Sequence, residues 1–290
     1  MIAALGNAIA LLDEQGRAEV LQFTLTHQNA DGGFCDRGAR SDLYYSLFGL
    51  LILKGAEGKG QGAGGREQSD NMALKPNPKL VDESILKLKQ FTERKVTSQI
   101  PGFIERCCLV LLQKELKVRR FSRIQSLWSL SQSFLKERHS INLSYRSFVL
   151  FLTLDAVFPF PWIFKLTAKR MLAQTTVDQH SPCSEIAAKV FLLKMLNQDG
   201  STEQKLLTSF ACHSGGFKAF AHLTNADMLS TAVALFALTY AGHDVRILKP
   251  ACLSFIEQNY SEGAFLSGDG DQTADVEYTF YGLLALGVLI

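Results

Sequence analysis

Apolar residues recur at three- and four-residue intervals along almost the whole chain, the period of a helix that buries one face. Val20, Phe23 and Leu25 fall on one side before His27, and Leu43, Leu47, Leu50 and Leu51 fit a helix ending at Gly55. The same spacing predicts helices over residues 80–95, 101–116, 121–136, 141–157, 162–176 and 184–196. Several open on Ser, Asn or Pro, residues suited to a helix start. No run alternates apolar and polar convincingly, so no strand is expected. The pattern amounts to an all-α chain of about a dozen helices.

One segment breaks the pattern. Residues 55–71 read GAEGKGQGAGGREQSDN and hold no large apolar side chain. A flexible surface loop is expected there, with a hinge between two domains as the alternative.

Three segments share one plan. Each has a Gly-rich turn closed by a Phe, at Gly32-Gly33-Phe34, Gly215-Gly216-Phe217 and Gly263-Ala264-Phe265. An aspartate follows, at Asp42, Asp227 and Asp275, and a leucine-rich helix begins. The glycines permit a tight turn, and the Phe is expected to plug between adjacent units. The Asp is placed to cap the free amides of the helix it opens. That helix is apolar nearly all round, so it must be buried on most sides. Units of outer helix, loop and buried inner helix close naturally into a double-layered ring.

Composition narrows the classes. Thirty Lys+Arg against 28 Asp+Glu leave a net charge of +2, which excludes a nucleic-acid binder held by a strong basic field. With 47% hydrophobic and 20% charged residues, the chain can bury enough to fold. Six scattered cysteines without a Cys-x-x-Cys pair suit reduced thiols and a cytoplasmic setting. The histidines show no H-x-x-x-H or H-E-x-x-H spacing. Phe158-Pro159-Phe160-Pro161-Trp162 is an aromatic knot suited to an inter-helix corner, a partner groove or a peripheral membrane contact.

The repeated plan resembles the α/α-toroid superfamily of protein prenyltransferase β subunits and squalene or terpenoid cyclases. The likeness is strong in the first and last repeats and weak over residues 75–200. It implies one toroid domain over residues 1–290, built from about six helical hairpins. Transferases of that superfamily hold zinc through an Asp-x-Cys pair and a later His. The most similar stretches here put Tyr44 in the Cys position and Tyr278 in the His position, so a catalytic zinc is not expected. Arg37 and Arg40 sit where family members bind a diphosphate, which magnesium would accompany; the alternative is two solvated loop arginines. Asp269-Gly270-Asp271-Gln272-Thr273-Ala274 is similar to the acidic motif of protonating cyclases. It implies Asp271 as proton donor, with Asp269 and Asp275 beside it. Gln272 departs from the motif, and an acidic turn near a helix start is the alternative.

Tyr44, Tyr45, Phe48, Tyr278 and Tyr281, with Phe236 and Phe280, fall on the expected inner helices. They are candidates to line a central cavity around an isoprenoid or lipid-like molecule; ordinary helix packing is the alternative. The leading expectation is therefore a zinc-independent, isoprenoid-handling transferase or cyclase. The alternatives are a non-catalytic toroid that binds a peptide, protein or lipid, and a subunit that needs a separate helical partner.

Overall fold

The computed structural model describes residues 1–57, 78–96, 102–118, 122–137, 143–158 and 162–290. Thirteen helices occur among them: α1 (Ile2–Leu11), α2 (Glu14–Thr26), α3 (Leu43–Glu57), α4 (Pro78–Val96), α5 (Phe103–Glu115), α6 (Arg123–Lys136), α7 (Leu143–Val157), α8 (Trp162–Ala173), α9 (Cys183–Met195), α10 (Ser201–Thr208), α11 (Met228–Ala241), α12 (Lys249–Gln258) and α13 (Val276–Val288). α3 runs through Gly55 to Glu57, two residues beyond the expected end. The rest of the Gly-rich segment, 58–71, lies outside the described residues.

The helices form two layers. α3, α5, α7, α9, α11 and α13 each pack on the next, and α13 returns to α3, so the inner ring is closed. α4, α6, α8 and α10 each lie outside against two inner neighbours, α12 packs on α13, and α2 packs on α3. The result is the expected α/α toroid of six hairpins. α1 wedges between α3 and α13 at their C-terminal ends, where Gly6 meets the Gly55 carbonyl and Gly287 meets the Ala4 backbone.

The repeated turn explains the closure. A Cβ added at Gly32 would meet the Lys87 carbonyl oxygen at 2.3 Å, and one at Gly215 would meet that of Ala251 at 2.0 Å. At Gly263 it would meet the Glu19 carbonyl oxygen, also at 2.3 Å. Those three carbonyls belong to α4, α12 and α2, the outer helix of the next unit in each case. Gly263 also has φ +84°, a conformation that strains any side chain. Four residues after two of those carbonyls come Phe91 and Phe255, whose rings cover Gly33 and Gly216; Phe23 holds the same place after Glu19.

The plug Phe behaves differently from expectation. Phe34 and Phe265 pack on the inner helix of their own unit, against Gly49 and Gly282. At the turns of Phe34 and Phe217 the side chains set between adjacent units are Phe91 and Phe255. The backbone amide of each plug Phe donates to a hydroxyl one turn into that inner helix. Phe34 N donates to Ser46 Oγ (2.9 Å), Phe217 N to Thr231 Oγ1 (2.9 Å) and Phe265 N to Thr279 Oγ1 (3.4 Å). The three aspartates cap as expected. Asp42 accepts from Tyr44 N and Tyr45 N, Asp227 from Leu229 N and Ser230 N, and Asp275 from Tyr278 N.

The turns also contain short strands that the apolar pattern did not predict. β1 (Phe34–Cys35) pairs with β2 (Ser41–Asp42), and β3 (Tyr260–Ser261) with β4 (Ala264–Phe265), both antiparallel. They are two residues long, too short to show an alternation.

Two substitutions test this packing. Gly282→Ala would place a methyl 2.2 Å from Phe265 Cγ, so it should destabilise the protein by about 1–3 kcal/mol through overpacking. Thr231→Val leaves the buried Phe217 amide unpaired and should cost about 1–3 kcal/mol. Denaturant midpoints measure both, and an unchanged midpoint in either variant contradicts the role given to that contact.

Candidate functional site

The ring encloses a cavity of about 830 Å³. Every inner helix contributes to its wall, and Met1, Ile2 and Ala3 of the N-terminal segment line it as well. Phe48, Phe148, Phe191, Phe236 and Phe280 make the wall largely aromatic. Two stacks organise them: Phe48 on Phe280, with centroids 4.5 Å apart, and Phe191 on Phe236, at 5.7 Å. The volume falls within the range of about 300–1,000 Å³ usual for small-molecule sites. An apolar ligand entering it would gain hydrophobic burial and aromatic contact.

Polar groups enter this wall at a few points. The Tyr44 hydroxyl donates to Glu277 Oε1 (2.9 Å) and lies 3.2 Å from the Tyr281 hydroxyl. Both tyrosines line the cavity, while Glu277 stands behind them. Burial pushes the Glu277 carboxyl above its ordinary range, only partly opposed by its hydrogen bonds with Tyr44 and Tyr45. Burial, together with the nearby Glu277 charge, pushes the Tyr45 hydroxyl up. Glu185, in the first turn of α9, lines the cavity wall, and burial raises its carboxyl too.

Arg37 closes the seam beside this cluster. Its Nε donates to Asp275 Oδ2 and its Nη1 to Asp271 Oδ2, both at 2.6 Å, and its guanidinium lies 5.3 Å from the Tyr278 ring centroid. The first repeat's loop is thereby tied to the last repeat's loop and helix cap. Asp271 is held below the ordinary carboxylate range, first by hydrogen bonds with Thr273 and then by Arg37. Asp269 accepts from Ser267 Oγ and Asp271 N and so shapes its own turn. Arg40 lies exposed at the β1–β2 turn, where its backbone pairs with Asp36.

The predicted residues therefore divide into two sets. Tyr44, Phe48 and Tyr281 line the cavity; Tyr45 and Tyr278 do not, being directed to Glu277 and Arg37. Asp269, Asp271 and Asp275 lie outside the cavity wall. Asp271 is half-exposed and its carboxyl is held below the ordinary range, whereas a proton donor needs the opposite environment. Arg37 is occupied by two carboxylates, which an arriving diphosphate would have to displace, and Arg40 does not join it. Sequence reasoning missed Phe148, Phe191, Glu185 and Glu277. Glu277 alone had a readable cue, two residues after the repeated Asp275 at a helix start.

A family-model match to the prenyltransferase α/α-toroid domain covers residues 5–96 and 151–289. The chain belongs to that family. No curated protein and no solved structure matches it significantly. The zinc site of transferases in this family does not fit the residues here. Asp42 is engaged with two helix amides, the Tyr44 hydroxyl with Glu277, and Tyr278 lies beside Arg37, so neither thiolate nor imidazole stands at those positions.

The two carboxyls give the toroid a pH signature. Glu277 has a raised folded-state pKa. Its favourable contribution is present below the ordinary carboxyl range and is lost as pH rises through the raised value. Asp271 acts in the opposite sense, contributing above the ordinary range and losing that contribution as pH falls through its lowered value. Glu277→Gln should therefore raise the melting temperature at neutral pH and leave it nearly unchanged in acid. An equal shift at both pH values contradicts the burial argument.

Proposed function

We propose that this toroid binds an isoprenoid or similar apolar chain in its central cavity, with the polar end of the ligand at Tyr44 and Tyr281. The observation that carries the reading is the aromatic cavity of about 830 Å³ within the inner ring. Its Phe-rich wall suits an unsaturated hydrocarbon, and the paired hydroxyls with Glu277 behind them suit a polar head group. Family membership supports the same ligand class in general terms.

Asp271 held ionised and Arg37 tied to two acids favour chain binding over cyclisation started by Asp271. Glu185 favours a second, catalytic reading. It is a carboxyl in the cavity wall whose pKa burial raises, as a zinc-independent transferase or cyclase would need for a proton-holding group. Six cysteines outside any disulfide support a cytoplasmic setting. No helix among the described residues is long and apolar enough to cross a membrane.

Val233→Trp tests the binding reading, because Val233 lines the cavity and an indole there would fill part of it. A fluorescent prenyl analogue should bind the native protein saturably and bind Val233→Trp at least about tenfold more weakly, as expected for loss of a well-packed apolar site. The variant's helical circular dichroism should be unchanged. Equal affinity in both proteins removes the cavity as the binding site. Turnover of a prenyl diphosphate by the native protein but not by Glu185→Gln selects the catalytic reading.

A further inference from the structure

The two outer helices on either side of α7 carry an outward face that the toroid does not use. On α6, Ile124, Trp128 and Leu135 are 81%, 69% and 66% exposed, and they lie along one side of the helix at spacings of four and seven. On α8, Leu166 is 63% exposed. Singly exposed apolar side chains are ordinary, but three along one side of α6 make an apolar stripe, and Leu166 adds a fourth on the next outer helix.

Charge gives this face its character. α6 and α8 carry Arg123, Lys136, Lys165, Lys169 and Arg170 and not one acidic residue. Five positive charges without a negative one stand out in a chain whose total is only +2. Four of the five are exposed, and Lys165 is half-buried. Long basic side chains beside a Trp and branched aliphatics form the composition of an interfacial helix face, which sinks apolar groups between head groups and pairs its cations with anionic lipid.

The face is also held in place. The buried Arg146 guanidinium donates to the Phe134 carbonyl of α6 and lies 4.3 Å from the Phe134 ring centroid, and Arg106 donates to Ser129 Oγ (2.9 Å). These bonds fix which side of α6 turns inward. The other side, with Ile124, Trp128 and Leu135, is presented to solvent without competing packing.

We propose that the outer face of α6 and α8 docks on an anionic lipid surface. Charge complementarity selects this occupant, since the cations lie around the apolar side chains. α7, between the two helices, lines the cavity with Phe148, Val149 and Leu152, so docking would bring the cavity wall near the membrane. The proposal goes beyond the chain-binding reading and stands without it.

The chain has two tryptophans, so Trp162→Phe leaves Trp128 as the single reporter. Phosphatidylcholine vesicles containing phosphatidylserine should shift Trp128 emission to the blue and sediment the protein, and high salt should weaken both effects. Pure phosphatidylcholine vesicles should do far less. Lys165→Glu combined with Lys169→Glu and Arg170→Glu should weaken binding by about tenfold or more, with helical circular dichroism retained. Ile124→Ser with Leu135→Ser should weaken it comparably. Absence of a blue shift with anionic vesicles overturns the proposal even if the charge-reversed variant fails to fold. So does a result in which these substitutions leave vesicle sedimentation unchanged but break a dimer in sedimentation velocity, since the face is then a protein contact.

Discussion

The architecture depends on one close approach, the contact of a turn glycine with the outer-helix backbone of the next unit. Gly263 reaches the Glu19 carbonyl, which joins the last hairpin to the first and closes the ring. The same contact recurs at Gly32 with Lys87 and at Gly215 with Ala251. A side chain at any of these positions would hold neighbouring hairpins apart. The Tyr260 hydroxyl adds a bond to Glu19 Oε2 (3.0 Å) across the closing contact, and Arg37 adds its two carboxylates nearby. The seam is thus set by backbone sterics and reinforced by polar contacts, of which the more exposed Arg37–Asp271 pair contributes least to stability.

Closure makes the cavity. Six inner helices, buried on nearly all sides, cannot meet on the axis once their outer partners and turns fix the ring's circumference. The space left over is lined by whatever side chains face inward, and here those are mainly phenylalanines. At the N-terminal ends of α3 and α13 the caps, the seam arginine and the Tyr44–Glu277–Tyr281 cluster gather within reach of one another. The polar chemistry at this end of the cavity follows from where the helices begin, while Glu115 and Asp155 line it near the C-terminal ends of α5 and α7. α1 occupies the opposite end, packed against Gly55 and Gly287, and its first residues complete the wall there.

The fold was legible where a residue type is forced. Turn glycines, the plug Phe and the capping Asp cannot be freely exchanged, so repeats one, five and six announce themselves. The hydroxyls Ser46, Thr231 and Thr279, each four residues after the Asp, belong to the same unit, but small and hydroxyl residues are common in such helices and nothing in the sequence ties them to the plug Phe amide. In the middle hairpins the inner helices α5 and α9 begin without a side-chain cap. α9 starts at Pro182, with the Cys183 amide bonded to the Ala219 carbonyl of a neighbouring loop, and α5 starts at Gly102. No fixed residue marks them.

The site was less legible for a related reason. α7 and α9 are apolar on several sides, so periodicity does not separate Phe148 and Phe191, which face the cavity, from residues packed between layers. Motif likeness pointed to Asp271 through its neighbours in sequence. The chain's own geometry pairs that carboxylate with Arg37 and leaves the half-buried acids Glu277 and Glu185 at positions where no motif pointed to a carboxylate. The most direct test of the account is the affinity of Gly263→Ala for a fluorescent prenyl analogue, read beside its unfolding midpoint. Gly263 is not part of the cavity wall, so the account predicts that a lower midpoint and weaker binding appear together while helical content persists. Native affinity with an unchanged midpoint would contradict the claim that this contact closes the ring and shapes the site.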